Sequence, residues 1–273
     1  MHLFGKNDLI KDLSALGIDA GDGLFVHSAL GQIGHVIGGP RTLIEALIDL
    51  VGPEGLIGMP GFSTDAYDPA ELMDLPLDPL TRDYVKRQVP GFDPALSSAR
   101  DNGSVPESFR TWPGVFRSKH PTSSVLLLGP DARRLIRPHD PLGWATGPNS
   151  PWGRLRKRPQ MKILLLGVGW NRCSALHAAE SLANHRRLKI RHFKNGTGPD
   201  APWVEAPDVA DDLGRLFPSV GADWEADGGV VRGRVGNAAA LLTGYSALLD
   251  YASIWFNRRN RSDGVPSIES IVG

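Results

Sequence analysis

Between residues 23 and 60 the chain carries an apolar run, a glycine-rich loop, an amphipathic stretch and a second apolar run, and this unit constrains the fold more than any other feature. Gly23-Leu-Phe-Val-His27 predicts a short buried strand. The loop Ser28-Ala-Leu-Gly-Gln-Ile-Gly-His-Val-Ile-Gly-Gly39 follows, and Pro40 suits the first turn of a helix reaching about Val51. Within that helix Leu43, Ile44, Leu47 and Leu50 form one stripe. Gly55-Leu-Ile-Gly-Met-Pro60 supplies the second strand. A β-loop-α-β unit favours parallel pairing through a right-handed crossover, and therefore a sheet with helices over it.

The rest of the chain extends this pattern. Ser124-Val-Leu-Leu-Leu-Gly129 and Lys162-Ile-Leu-Leu-Leu-Gly167 read as central strands covered on both faces. Leu9, Ile10, Leu13 and Leu16 sit at helical spacing before Gly17, a glycine placed to end that helix. Residues 187–193, 203–205 and 229–235 alternate enough to predict antiparallel strands, and a last helix is expected over 237–256 with Leu241, Leu242, Leu248 and Trp255. Residues 61–104 hold Asp65, Asp68, Glu71, Asp74, Asp78 and several prolines without sustained periodicity, which predicts a long loop excursion over the core. The fold class expected is α/β: a three-layer α/β/α sandwich with a mixed, centrally parallel sheet and a late antiparallel portion. With 273 residues, 41% of them hydrophobic, the chain can bury one substantial core, and a single domain over 1–273 is expected.

Composition narrows the function classes. Thirty basic residues balance thirty acidic ones, so the chain has no global field for nucleic acid or an anionic membrane. One cysteine excludes an internal disulfide framework. The opening residues lack the apolar core of a signal peptide and no apolar run reaches membrane-spanning length, which together predict a cytoplasmic protein. Oligomeric state is not legible.

Chemistry concentrates just past the strand ending at Gly167. In Ser174-Ala-Leu-His-Ala-Ala-Glu180, Ser174 is an expected N-cap, His177 falls in the first helical turn and Glu180 at i+3 shares its face. Unpaired amides in that turn disfavour a positive charge on the imidazole, which suits a general base. A packed histidine beside a solvated carboxylate is the plainer reading of such a pair. His27 ends the first strand, where open α/β sheets place ligands. The glycine-rich loop after it feeds a helix amino terminus and could hold phosphates on its amides, although it fits neither the Walker pattern nor GxGxxG. Cys173 invites a covalent acyl-enzyme, and His177 and Glu180 with His27 or His120 invite a metal site. A silent binding protein of the same fold is a third alternative.

Several longer blocks occur together. Phe25 to Leu47, Met59-Pro-Gly-Phe-Ser63, Gly91-Phe-Asp-Pro94, Val105-Pro-Glu-Ser-Phe-Arg110, Arg117-Ser-Lys-His-Pro-Thr122, Gly147-Pro-Asn-Ser-Pro-Trp-Gly-Arg154, Leu164 to Gly169, Leu176-His-Ala-Ala-Glu180 and Gly233-Arg-Val-Gly-Asn237 succeed one another along the chain. In that order they resemble the aminoglycoside 3-N-acetyltransferase family, from about residue 8 to 257. The resemblance implies transfer of an acetyl group from acetyl-CoA to a primary amine, by default the 3-amino group of a 2-deoxystreptamine aminoglycoside. A different amine-bearing metabolite is the alternative, and no metal, nucleic acid or membrane is implied. In this reading His177 is the general base, Glu180 its orienting carboxylate and His27 a second catalytic or orienting group. Ser28, Ala29, Leu30, Gly34, Val36, Gly38, Gly39, Ser63 and His120 are expected to meet the coenzyme. Asp65, Asp68, Glu71, Trp170 and Asn171 are expected to meet the acceptor. Trp170 and Asn171 stand where antibiotic-modifying members carry a His-Asp pair, and Ser123 where a second histidine follows His-Pro-Thr.

Overall fold

A computed structural model describes residues 2–210 and 214–272. In chain order the elements begin with β1 (Leu3–Phe4), α1 (Lys6–Ala15), β2 (Gly23–Ser28), α2 (Leu30–Ile33), β3 (His35–Val36), α3 (Pro40–Val51) and β4 (Leu56–Pro60). They continue through α4 (Pro69–Leu72), α5 (Pro79–Gln88), α6 (Ser104–Arg110), β5 (Phe116–Arg117), β6 (Val125–Leu128), α7 (Ala132–Leu135), α8 (Pro151–Leu155) and β7 (Met161–Leu166). The chain closes with α9 (Ala175–Leu182), β8 (Leu188–Lys194), β9 (Trp203–Val209), α10 (Phe217–Ala226), β10 (Val231–Val235), β11 (Ala238–Gly244), α11 (Tyr245–Ser262) and α12 (Ile268–Val272).

Seven strands form the main sheet in the order β10-β11-β7-β2-β4-β6-β5. Its centre is parallel, because β2 pairs with both β7 and β4 in that sense. Both flanks are antiparallel: β6 runs against β4 and β5, and β11 runs against β7 and β10. Alternation along each strand divides the buried side chains between two cores. Phe25, Leu127, Ile163 and Leu165 pack with Leu176, Phe217, Leu248 and Phe256 beneath α9, α10 and α11. Leu24, Val26, Leu126, Leu164 and Leu166 pack with Leu9, Leu13, Leu43, Leu47 and Phe109 beneath α1, α3 and α6. The result is the three-layer α/β/α sandwich. Phe25 lies 4.8 Å from the Trp152 ring, and both are fully buried, a pair worth about 1 kcal/mol beyond its area.

Two sequence expectations differ from the structure. Residues 237–256 are not one helix: Ala238–Gly244 is a strand hydrogen-bonded on both sides, and helix begins only at Tyr245. The run Ala-Ala-Ala-Leu-Leu is helix-favouring by propensity, and pairing with β7 overrides it. The excursion over 61–104 is not structureless either. Asp68 and Asp78 each precede a proline and accept backbone N–H groups as N-caps of α4 and α5. Because α5 buries no residue, it carries no apolar stripe for a periodicity argument to find.

The excursion meets the core beneath α9, α10 and α11 through Phe62 and otherwise packs on the β8–β9 hairpin. A third, small cluster of Ala66, Phe92, Phe193 and Ala206 joins them. Polar contacts complete the joint: the Lys194 ammonium, fully buried, donates 2.8 Å to the Val89 carbonyl just past α5, and His192 meets Glu71 at 3.1 Å. Gly91 has φ +78°, and a Cβ there would collide with the Gly196 carbonyl.

Candidate active site

The carboxyl ends of β2 and β7 lie side by side, with His27 opposite Leu165 and Ser28 opposite Leu166. They open with the end of β4 into a cleft of about 590 Å³, placed where open α/β sheets bind ligands. His27 and His177 both line it. By alternation His27 faces the same side as Phe25, and the rings are 5.4 Å apart. It is 5% exposed, its Nε2 is buried without a partner among the described residues, and burial pushes its pKa down to about 3. The imidazole is therefore neutral near pH 7. The Ser28 hydroxyl beside it is also buried without a partner among the described residues, so two polar groups at the end of β2 are left for a ligand or water to satisfy.

His177 stands in the first turn of α9, half-buried, with Phe217 edge-on at 4.8 Å. Gly167 makes the exit from β7 possible: φ is +67°, and a Cβ would come within 2.6 Å of Gln32. Ser174 occupies the N-cap position, yet its side chain caps nothing and lines the cleft instead.

Glu180 is engaged away from the cleft. It is fully buried and accepts from Arg187 Nε at 2.8 Å and Nη2 at 3.0 Å, and Asn260 Nδ2 approaches at 3.4 Å. The helix places it toward α11 and the start of β8, which is how a residue three positions on acquires a different neighbourhood. Trp170 is likewise turned inward. Its ring lies on Gly221, where a Cβ would clash, and its N–H donates to the Glu225 carboxylate. Asn171 does line the cleft.

Of the residues expected at the coenzyme, Ser28, Ala29, Leu30 and Ser63 line the cleft, and Gly34, Val36, Gly38 and Gly39 do not. Gly34 makes room for Asn237 and Phe4, and Val36 is buried beside β1. Gly38 is exposed and Gly39 half-buried, at the amino terminus of α3. His120 is a turn histidine behind the cleft wall: Nδ1 accepts from the Thr122 amide at 3.3 Å and the Ser123 amide at 3.1 Å. Burial, then the neighbouring His139, holds its pKa well below the usual imidazole value. Among the acids expected at the acceptor, Asp68 caps α4 and Glu71 meets His192, and neither they nor Asp65 line the cleft.

The remaining lining lies beyond the sequence expectations. Tyr67, Arg191 and Asp208 form one wall, with the Arg191 guanidinium bonded to the Tyr67 hydroxyl at 2.7 Å and paired with the Asp208 carboxylate. Asp101, Asn102 and Arg172 stand at other points, and Thr122, Ser123 and Thr146 line a polar stretch. Adjacency to His-Pro-Thr is the available signal for Thr122 and Ser123. For Arg191 and Asp208 no local signal exists, since only pairing of the β8–β9 hairpin brings them together. Cys173 is fully buried in the core with its thiol pushed up to about 12 by burial, which leaves it without thiolate character.

Comparison with known proteins shows which family the chain and its fold resemble. The profile described as aminoglycoside 3-N-acetyltransferase matches residues 25–257. Aminoglycoside N(3)-acetyltransferase IX of Micromonospora chalcea is 31% identical over 268 residues, covering 93% of this chain and 94% of that protein. The crystal structure of YokD from Bacillus subtilis superposes with a TM-score of 0.88 at 30% identity, covering 96% of both chains. A binary structure of AAC-IIIb with CoASH superposes with a TM-score of 0.82 at 30% identity, covering 94% of this chain and 98% of the other.

Proposed function

Because the chain belongs to the aminoglycoside 3-N-acetyltransferase family, we propose that it transfers an acetyl group from acetyl-CoA to a primary amine in this cleft, by default the 3-amino group of a 2-deoxystreptamine aminoglycoside. The presence of CoASH in the AAC-IIIb structure supports the coenzyme. The observation that carries the reading is that His177, at the amino end of α9, shares one cleft with His27, an imidazole that burial keeps neutral.

An ammonium cannot attack a thioester. His177 takes one proton from the acceptor ammonium, the freed lone pair forms the bond to the acetyl carbonyl carbon, the C–S bond breaks, and a second N–H proton passes to the departing sulfur, so that the coenzyme leaves as its thiol. His27 orients the reacting groups without adding charge. Ser28, Ala29 and Leu30 line the cleft beside them, where the coenzyme arm would lie. Glu180 holds α9 through Arg187, so its part in the reaction is to fix the helix that carries the base. The pairing of Arg191 with Asp208, and the engagement of Asp68 and Glu71 elsewhere, favour as a second reading an acceptor less charged than an aminoglycoside.

The test follows free thiol on mixing the protein with acetyl-CoA and a panel of aminoglycosides and simpler amines. His177→Ala should lower kcat/KM by about 10²- to 10⁴-fold while coenzyme affinity is kept. Absence of thiol release with every amine would refute the reaction, and release with simple amines alone would select the second reading.

A further inference from the structure

We infer that Thr146 reads an N–H or O–H donor of the bound ligand, its oxygen being held as an acceptor by a hydroxyl relay that ends on the backbone of His177. The inference rests on the acetyl-transfer reading and adds a specificity residue to it.

Thr146 is 4% exposed and lines the cleft, in the loop before α8. Its Oγ1 lies 2.8 Å from the hydroxyl of Ser181, which is 1% exposed in α9. Ser181 Oγ lies 2.9 Å from the carbonyl oxygen of His177, one turn earlier. A carbonyl has no proton to give, so Ser181 is the donor in that bond. A serine hydroxyl has one proton, so Ser181 can only accept from Thr146. The Thr146 proton thus points away from the cleft, and what its oxygen can offer a ligand there is lone-pair density.

A hydroxyl that is free to rotate serves donors and acceptors alike. This one is committed. It favours a ligand that presents N–H or O–H, and it disfavours a carbonyl or ether oxygen at the same place. Two sources fit the chemistry: an amide N–H of the pantetheine arm, or an amine or hydroxyl of the acceptor. The relay also fixes the first turn of α9, so the ligand-reading oxygen and the base are held by one chain of bonds.

The experiment compares wild type, Thr146→Val, Thr146→Ser and Ser181→Ala by initial rates with each substrate varied, and by calorimetry with coenzyme A and with gentamicin. Thr146→Val should raise KM for one substrate, and the matching dissociation constant, by about five- to tenfold with kcat within twofold, as loss of one neutral hydrogen bond requires. Thr146→Ser should restore both. Ser181→Ala should produce a smaller rise for the same substrate, since the Thr146 proton is then free to turn inward. The substrate affected identifies the donor as coenzyme or acceptor. Unchanged affinities in Thr146→Val, or a fall in kcat and thermal stability without any KM effect, would overturn the inference. Wild-type protein that binds neither probe and releases no thiol would instead overturn the acetyl-transfer reading beneath it.

Discussion

Replacing Glu180 separates a helix-fixing carboxylate from one that acts on the base. Glu180 is fully buried, and both its oxygens accept from Arg187, whose side chain keeps 26% of its surface in solvent. Breaking a buried ion pair by removing one partner costs about 3–5 kcal/mol. Partial exposure of Arg187 lets water recover some of that cost, so Glu180→Ala should lose about 3 kcal/mol, equivalent to roughly 6–9 °C in Tm for a chain of this size. Glu180→Gln keeps the shape and an acceptor for Asn260, and should lose about half as much. Thermal melts and pH–rate profiles together decide the matter. Both variants should keep kcat/KM within about fivefold at a temperature where they are folded, with the profile unmoved. A Glu180→Gln protein of wild-type Tm whose kcat/KM falls a hundredfold, with a displaced profile, would refute the assignment and return this carboxylate to the imidazole of His177.

Three further outcomes are expected. Cys173→Ser should leave turnover within twofold, and iodoacetamide should not label the folded wild-type protein, because the thiol is buried and pushed up to about 12; rapid labelling that stops turnover would contradict this. His27, His120 and His139 all have lowered values, to about 3 for His27 and about 4 for His139, each chiefly through burial. The unfolded chain binds these protons first, so stability is full above about pH 6.5 and falls as pH drops toward 4, at up to about 4 kcal/mol per pH unit for three sites; urea midpoints that are flat from pH 7 to 5 would rule out neutral burial. Gly91→Ala should strain a left-handed position against Gly196 and loosen the excursion from the hairpin, read as faster protease cleavage within residues 61–104 with little change in Tm, whereas unaltered cleavage would show that the joint does not depend on that approach.

The central sheet was legible because its strands are short apolar runs bounded by glycine and its helices carry full stripes, as in β2, α3 and β4. The early histidine and the Leu-His-x-x-Glu block were legible as site candidates for the same reason: each sits at a strand end or first helical turn whose position follows from local pattern. What escaped depended on distant pairing. Ala238–Gly244 is a strand only because β7 offers it an edge. Trp170 turns from the cleft only because Gly221 leaves its ring a flat bed, and Glu180 finds Arg187 only because the chain doubles back after α9. The acids at 65–71 formed an apparent acceptor patch in one dimension, whereas in three Asp68 is spent on capping and Glu71 on His192.

The excursion and the β8–β9 hairpin share a small apolar cluster of their own, separate from the two cores that flank the main sheet. Substitutions in that cluster therefore act first on the excursion and the hairpin, and reach the rest of the site through Phe193, which lies against the His120 ring. One side of the cleft thus has packing of its own, joined to the side bearing the histidines through the Arg187–Glu180 pair, so its shape can change within that cluster while the pair keeps it in register with α9.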